Sequence, residues 1–211
     1  MKKMWLAVTL LISLNCLGQL PANFKFKTGD IIFQDLDCGP LCDAIEKVTQ
    51  GYKGKDFSHA GIIFVKGDST LVLEAIGERV HYTPIQNFLK RSPKVAVGRL
   101  KKKYSLDYTK LESLLKENPS KYFVPYDDVF LENNSKYYCT ELIHDLYMEA
   151  NKGGDVFPFY PMTFKDPDTK EFFPVWVDYY KELKQPIPEG QPGCNPGGVS
   201  RSEKLKILYC Y

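Results

Sequence analysis

The spacing of apolar and polar residues changes period several times along this chain, and each change predicts an element. Thr28-Gly29-Asp30 ahead of Ile31, Ile32 and Phe33 reads as a short buried strand entered through a turn. Gly39-Pro40 then opens a helix: proline suits its first position, Leu41, Cys42, Ile45 and Val48 recur at helical spacing, and Gly51 closes it. Ser58 to Val65 and Leu71 to Ile76 read as strands joined by the hairpin turn Lys66-Gly67-Asp68-Ser69. A third strand is expected from Arg79 to Tyr82, a short helix from Thr83-Pro84 through Lys90, and a strand from Lys94 to Leu100. Ser105 is the expected cap of a helix with a Leu111, Leu114 and Leu115 stripe, stopped by Asn118-Pro119. Another helix runs from Cys139 to about Asn151, where Gly153-Gly154 breaks it. Aromatic- and proline-rich turns follow, then a loop by composition from Gln185 to Gly198 and a strand-like LKILYCY segment. The order is α+β, an antiparallel sheet packed between helices.

The 211 residues suffice for one domain with a substantial core, and 44% hydrophobic residues is ordinary for a globular chain. A formal charge of +2 with interspersed signs gives no nucleic-acid footprint, and Lys101-Lys102-Lys103 reads as a solvated strand end. Lys2 and Lys3 precede an apolar run from Met4 to about Leu14, which reads as a signal peptide over residues 1–19. The expected mature chain, 20–211, is a single exported domain, periplasmic or extracellular, with no stable transmembrane segment. A lipoprotein anchored through Cys16 is the second reading, disfavoured because Asn15 suits a lipobox poorly. Export permits disulfides. Cys38 and Cys42 lie close in sequence, while Cys194 and Cys210 bracket the C-terminal loop. If both pairs form, Cys139 is left as the odd thiol. No spacing supports a metal site, and no cofactor is expected.

The chemistry gathers around KYYCTELIHDLY, residues 136–147. Cys139 opens the helix, where unpaired N–H groups and the dipole favour an anion. It shares a helical face with Ile143, Leu146 and Ala150, so the pattern alone fits a buried cysteine as well as a nucleophile at a cleft floor. Thiol hydrolysis also needs an imidazole and a group to orient it. His144 lies about 140° round the same helix and points elsewhere, and His81 reads as solvent-facing or structural. His59 starts the strand SHAGIIFV with Gly61 two residues on, leaving space beside the ring. Glu74 is the one charged residue in the otherwise apolar Leu71–Ile76 strand, and a carboxylate there needs a partner. An antiparallel hairpin brings it near His59; a salt bridge to Arg79 or a lysine is the alternative.

Taken together, GDIIFQ (29–34), SHAGI (58–62), LEA (73–75), PYD (125–127) and YYCTEL (137–142) resemble the YiiX/YebB-like cysteine hydrolases. These are circularly permuted members of the NlpC-type, papain-like amidase superfamily, in which histidine and acid precede the cysteine. The resemblance spans about residues 28–150 and implies a permuted papain-like fold with the nucleophile at a helix N-terminus. It further implies Cys139 as nucleophile, His59 as general base and acid, Glu74 as orienting group, and Tyr126 as an oxyanion donor. Thr140 stands where close relatives often have serine.

The expected activity is that of an exported cysteine amidase or peptidase acting through a thioester, on a peptide or acyl-peptide of the cell envelope. Lipid acyl hydrolysis or transfer, as in the lecithin:retinol acyltransferase-like branch, is the runner-up. The aromatic segments 156–164 and 171–180 are read as core, with an apolar acyl pocket as the alternative. A non-catalytic envelope-binding module and a plain disulfide-stabilised structural protein complete the alternatives.

Overall fold

A computed structural model describes residues 20–117 and 119–211. The expected signal segment, Cys16 and the expected helix stop at Asn118 therefore lie outside the described residues. In chain order the elements are β1 (Ile31–Gln34), α1 (Pro40–Val48), a single 3-10 turn (Tyr52–Gly54), β2 (His59–Lys66) and β3 (Ser69–Ile76). Next come β4 (Arg79–Pro84), α2 (Ile85–Arg91), β5 (Val95–Leu100), α3 (Tyr108–Glu117), α4 (Pro119–Tyr122) and α5 (Cys139–Ala150). The chain continues through β6 (Tyr160–Pro161), α6 (Pro174–Leu183), β7 (Pro192–Gly193), α7 (Pro196–Ser200) and β8 (Leu205–Cys210).

Six strands form one antiparallel sheet in the order β4-β3-β2-β1-β5-β8. Alternation along the strands sorts their side chains onto two faces. Phe33, Ala60, Ile62, Leu73 and Ala75 pack with Leu142, Ile143 and Leu146 of α5 on one face. Ile32, Ile63, Val72 and Val97 pack with Ile85 and Phe88 of α2 on the other. Each fully buried leucine or isoleucine in these layers contributes roughly 1.5–3 kcal/mol, so the sheet is held from both sides.

The expected β2–β3 hairpin forms, with Ile62 opposite Leu73 and Lys66 opposite Ser69. A side chain at Gly61 would sit 2.4 Å from Val72 Cγ1 and 3.3 Å from Glu74 Cβ, so the missing Cβ lets β3 close up beside the imidazole strand. Gln34, paired in register with His59, donates from its side-chain amide to the Phe88 and Ser92 carbonyls at 2.8 and 2.7 Å. These two bonds fix α2 against the end of the sheet.

Three expectations need correction. Asp107, not Ser105, caps α3: its Oδ1 accepts the Lys110 N–H at 2.9 Å, because only the residue directly before Tyr108 can reach the free amides of the first turn. The region read as aromatic turns contains α6, with Pro174 at its start and Trp176 and Tyr180 buried. Its inner face packs with Ala44 of α1 and Phe164 in a separate cluster. The Cys38–Cys42 disulfide is present, but Cys194 and Cys210 are both free thiols. Cys210 lies in β8 opposite Ala96, whereas Cys194 is drawn to the start of α5.

The last stretch of chain completes the sheet and also lines the cavity that holds Cys139. β8 completes the sheet against β5, and α7 lies so close to the end of α1 that a Cβ on Gly197 would fall 2.1 Å from the Thr49 carbonyl oxygen. Among the described residues no helix is long and apolar enough to cross a membrane.

Candidate active site

Cys139 is the first residue of α5, buried and lining a cavity of about 910 Å³. Its helix start is fixed on both sides. Tyr138 Oη accepts the Cys194 N–H at 3.1 Å and lies 4.0 Å from Cys194 Sγ, while Thr140 Oγ1 donates to the Cys194 carbonyl at 2.8 Å. Both neighbours of Cys139 are thus bonded to the C-terminal loop. Glu141, buried in the first turn, accepts the Tyr138 N–H at 3.4 Å, and burial pushes its carboxyl up to about 8. The first turn therefore carries little negative charge against the sulfur at neutral pH.

His59 and Glu74 belong to the strand positions that face α2, with the His59 ring 5.9 Å from Phe88. His59 Nε2 donates to Glu74 Oε2 at 2.6 Å. The Cys139 thiol acts on the same ring electrostatically. His59 stands at the first position of β2. Tyr126 borders the same cavity as Cys139. Its backbone is pinned by an N–H bond to the Glu78 carbonyl at 2.9 Å and by bridging with Tyr137. Burial raises the Tyr126 phenol well above its ordinary range, so it is a neutral O–H donor.

Burial opposes charge on both partners, and the pair overrides it. For His59, Cys139 and Glu74 outweigh desolvation and raise the imidazolium from 6.5 to about 9. For Glu74, His59 and then Arg91 outweigh desolvation and hold the carboxyl near 2 instead of 4.5. The linkage has opposite signs for the two groups. The Glu74 contribution is complete above pH 4.5 and is lost as pH falls toward 2. The His59 contribution is complete below pH 6.5 and is lost as pH rises through about 9. The difference in melting temperature between wild type and Glu74→Gln should therefore be greatest between pH 4.5 and 6.5 and shrink on either side. A pH-independent difference in calorimetry would contradict the coupling.

Some functional contacts left no clear trace in the sequence. Arg91 Nη2 donates to Glu74 Oε2 at 2.6 Å, so the acid has two partners, while Arg79 turns instead to the Phe123 carbonyl. Asp127, fully buried, accepts from the Val129 and Leu131 N–H groups and from Asn134 Nδ2, and so shapes the loop after Tyr126. His144 is no partner of Cys139: it bonds the Phe157 carbonyl at 2.7 Å and stacks on Phe159, holding a segment that lines the cavity. The aromatic segments serve as both core and wall, since Phe164 and Trp176 belong to the α1–α6 cluster and also face the cavity.

A helix opening on a cysteine and packed on an antiparallel sheet, with the histidine strand earlier in the chain, is the papain-like architecture in permuted order. Residues 25–209 match the model of the "Permuted papain-like amidase enzyme, YaeF/YiiX, C92 family", and the chain belongs to that family. It is 29% identical over 153 residues to the uncharacterized protein YiiX of Escherichia coli (strain K12), covering 71% of this chain and 69% of that protein. A crystal structure described as that of metalloprotein yiiX from Escherichia coli O157:H7 matches the fold with a TM-score of 0.70 at 24% identity. The match covers 89% of this chain and 99% of that one.

Proposed function

We propose that this chain is an exported cysteine amidase or peptidase that cleaves its substrate through a thioester on Cys139. The observation that carries the reading is the His59–Glu74 hydrogen bond, 2.6 Å long and buried, on a ring that the Cys139 thiol also acts on. His59 holds the thiol proton, and the Cys139 sulfur attacks the carbonyl carbon. The resulting oxyanion is met by the Cys139 backbone N–H and the Tyr126 hydroxyl. As the C–N bond breaks, His59 passes the proton to the leaving amine, leaving an acyl-thioester. Water, deprotonated by His59, then releases the acid and regenerates the thiol. Glu74 keeps the ring in the orientation this exchange requires.

Envelope peptides and acyl-peptides are the substrate class that export and the amidase family suggest together. Acyl lipids are a second reading, favoured by the apolar lining supplied by Ile45, Val48, Phe157, Met162 and Trp176. The fold relative's description as a metalloprotein finds no matching donor set here, since no group of three or more His, Cys, Asp or Glu side chains among the described residues is placed to hold an ion.

In the folded protein at neutral pH, iodoacetamide should alkylate Cys139 at least about tenfold faster than Cys194, whose thiol burial pushes up to about 12. Peptide mapping by mass spectrometry reads the order. Exposure to peptidoglycan peptides, acyl-peptides and phospholipids should leave an acyl mass on Cys139 with one of the three classes, which also decides the substrate. Slow labelling of Cys139, equal to that seen only after unfolding, would overturn the nucleophile assignment.

A further inference from the structure

Glu74 Oε2 is shared. His59 Nε2 and Arg91 Nη2 both donate to this one oxygen, each at 2.6 Å, inside a site where the carboxylate is fully buried. Arg91 is the last residue of α2 and is only partly exposed. Its guanidinium lies over the Phe88 ring, 4.7 Å from the centroid, and Phe88 in turn packs against His59. The residues on either side are tied down as well, because the Phe88 and Ser92 carbonyls both receive the Gln34 amide. A surface arginine meeting a carboxylate by chance would have none of these constraints.

We infer that Arg91 is a positioning residue for the proposed reaction: it fixes the Glu74 carboxylate toward His59 and, by sharing its charge, limits how strongly that carboxylate holds the imidazole proton. This rests on the Cys139–His59–Glu74 reading given above. A carboxylate with one partner can rotate about its last bond, and its full field falls on the imidazolium. With a second, permanently charged partner on the same oxygen, the rotation is arrested and part of the field is neutralised. His59 can then release its proton to a leaving group more readily.

Among the described residues no other lysine or arginine is bonded to Glu74. The further groups facing the pair are Cys139 from α5, Thr83 and His81 from β4, and His81, opposite Glu74 in register, bonds the Arg79 carbonyl through Nδ1. Lys94, three residues beyond Arg91 at the same end of α2, is bound to Asp35 and Asp37. Arg91 is therefore the fixed positive charge on the acid.

The test needs no substrate. The rate of Cys139 alkylation by iodoacetamide against pH should show an upper inflection where His59 loses its proton. Arg91→Gln should move that inflection up by about half a unit to one unit, because Glu74 now acts on His59 alone. Arg91→Lys, which keeps the charge, should leave it within a few tenths of wild type. Glu74→Gln should move it down. An unmoved inflection in Arg91→Gln, with Glu74→Gln still shifted, overturns the role of Arg91 and leaves the triad standing. An inflection that neither substitution moves overturns the triad reading itself. A merely structural Arg91 would lower the melting temperature without moving the inflection. If Arg91→Gln does not fold, the Lys variant decides: an inflection displaced by a full unit despite the retained charge overturns the inference.

Discussion

Replacing Cys139 by alanine is expected to abolish turnover, by a factor on the order of 10⁴ or more, while leaving the fold intact. The expectation follows from covalent chemistry. Without the sulfur no thioester forms, and His59 and Tyr126 are left around a carbonyl with no nucleophile positioned to attack it. The structural cost is small. Cys139 is a small side chain in the first turn of α5, alanine is the best helix former, and its backbone N–H is unchanged. The measurement is product formation by mass spectrometry, on whichever peptide, acyl-peptide or phospholipid the wild type consumes, beside a thermal melt. Turnover comparable to wild type by a folded Ala variant would sink the mechanism.

The second large effect is expected at Glu74. Glu74→Gln keeps the shape but removes the charge from a fully buried position that faces both a guanidinium and an imidazole. The amide presents two N–H donors to a neighbourhood of donors, and Arg91 loses the only carboxylate bonded to it among the described residues. Removing one partner from such a buried pair costs about 3–5 kcal/mol, to be read from the denaturant midpoint. Loss of ring orientation should lower turnover by roughly 10²-fold, the lower end of what a positioned acid–base group contributes. A stable, fully active Gln variant would show that His59 needs no acid and that the expensive burial of Glu74 serves something else.

The sequence exposed Glu74 because the pattern around it was broken: a carboxylate in an apolar strand must be neutralised, and the hairpin register then names the neighbourhood. Cys139 was legible by place, at a helix start, though its buried face looked like any core cysteine until His59 was set beside it. Arg91 was not legible, since a basic residue in the last turn of a short helix has a ready explanation in the helix dipole. Its place beside Glu74 depends on how α2 sits on the sheet, where Gln34 bonds the Phe88 and Ser92 carbonyls. Helix α6 went unread because its aromatics supplied both the helical stripe and the turn-like composition. Trp176 and Tyr180, four apart behind Pro174, carried the signal. The second disulfide failed for a different reason. Sequence separation says how long a loop is, not which neighbours claim its end, and Cys194 is claimed by Tyr138 and Thr140.

That claim has a consequence for when the protein becomes competent. The backbone that braces the start of α5 is that of Cys194, and the sheet is closed only by β8 at 205–210. A growing chain carries Cys139, His59 and Glu74 long before those positions exist. Until they arrive, the start of α5 lacks its bonds to Cys194 and the cavity lacks part of its lining. On the proposed mechanism, competence is thereby expected only with the final stretch of synthesis, and a chain broken off before Cys194 would keep Cys139, His59 and Glu74 without the bonds that brace the start of α5.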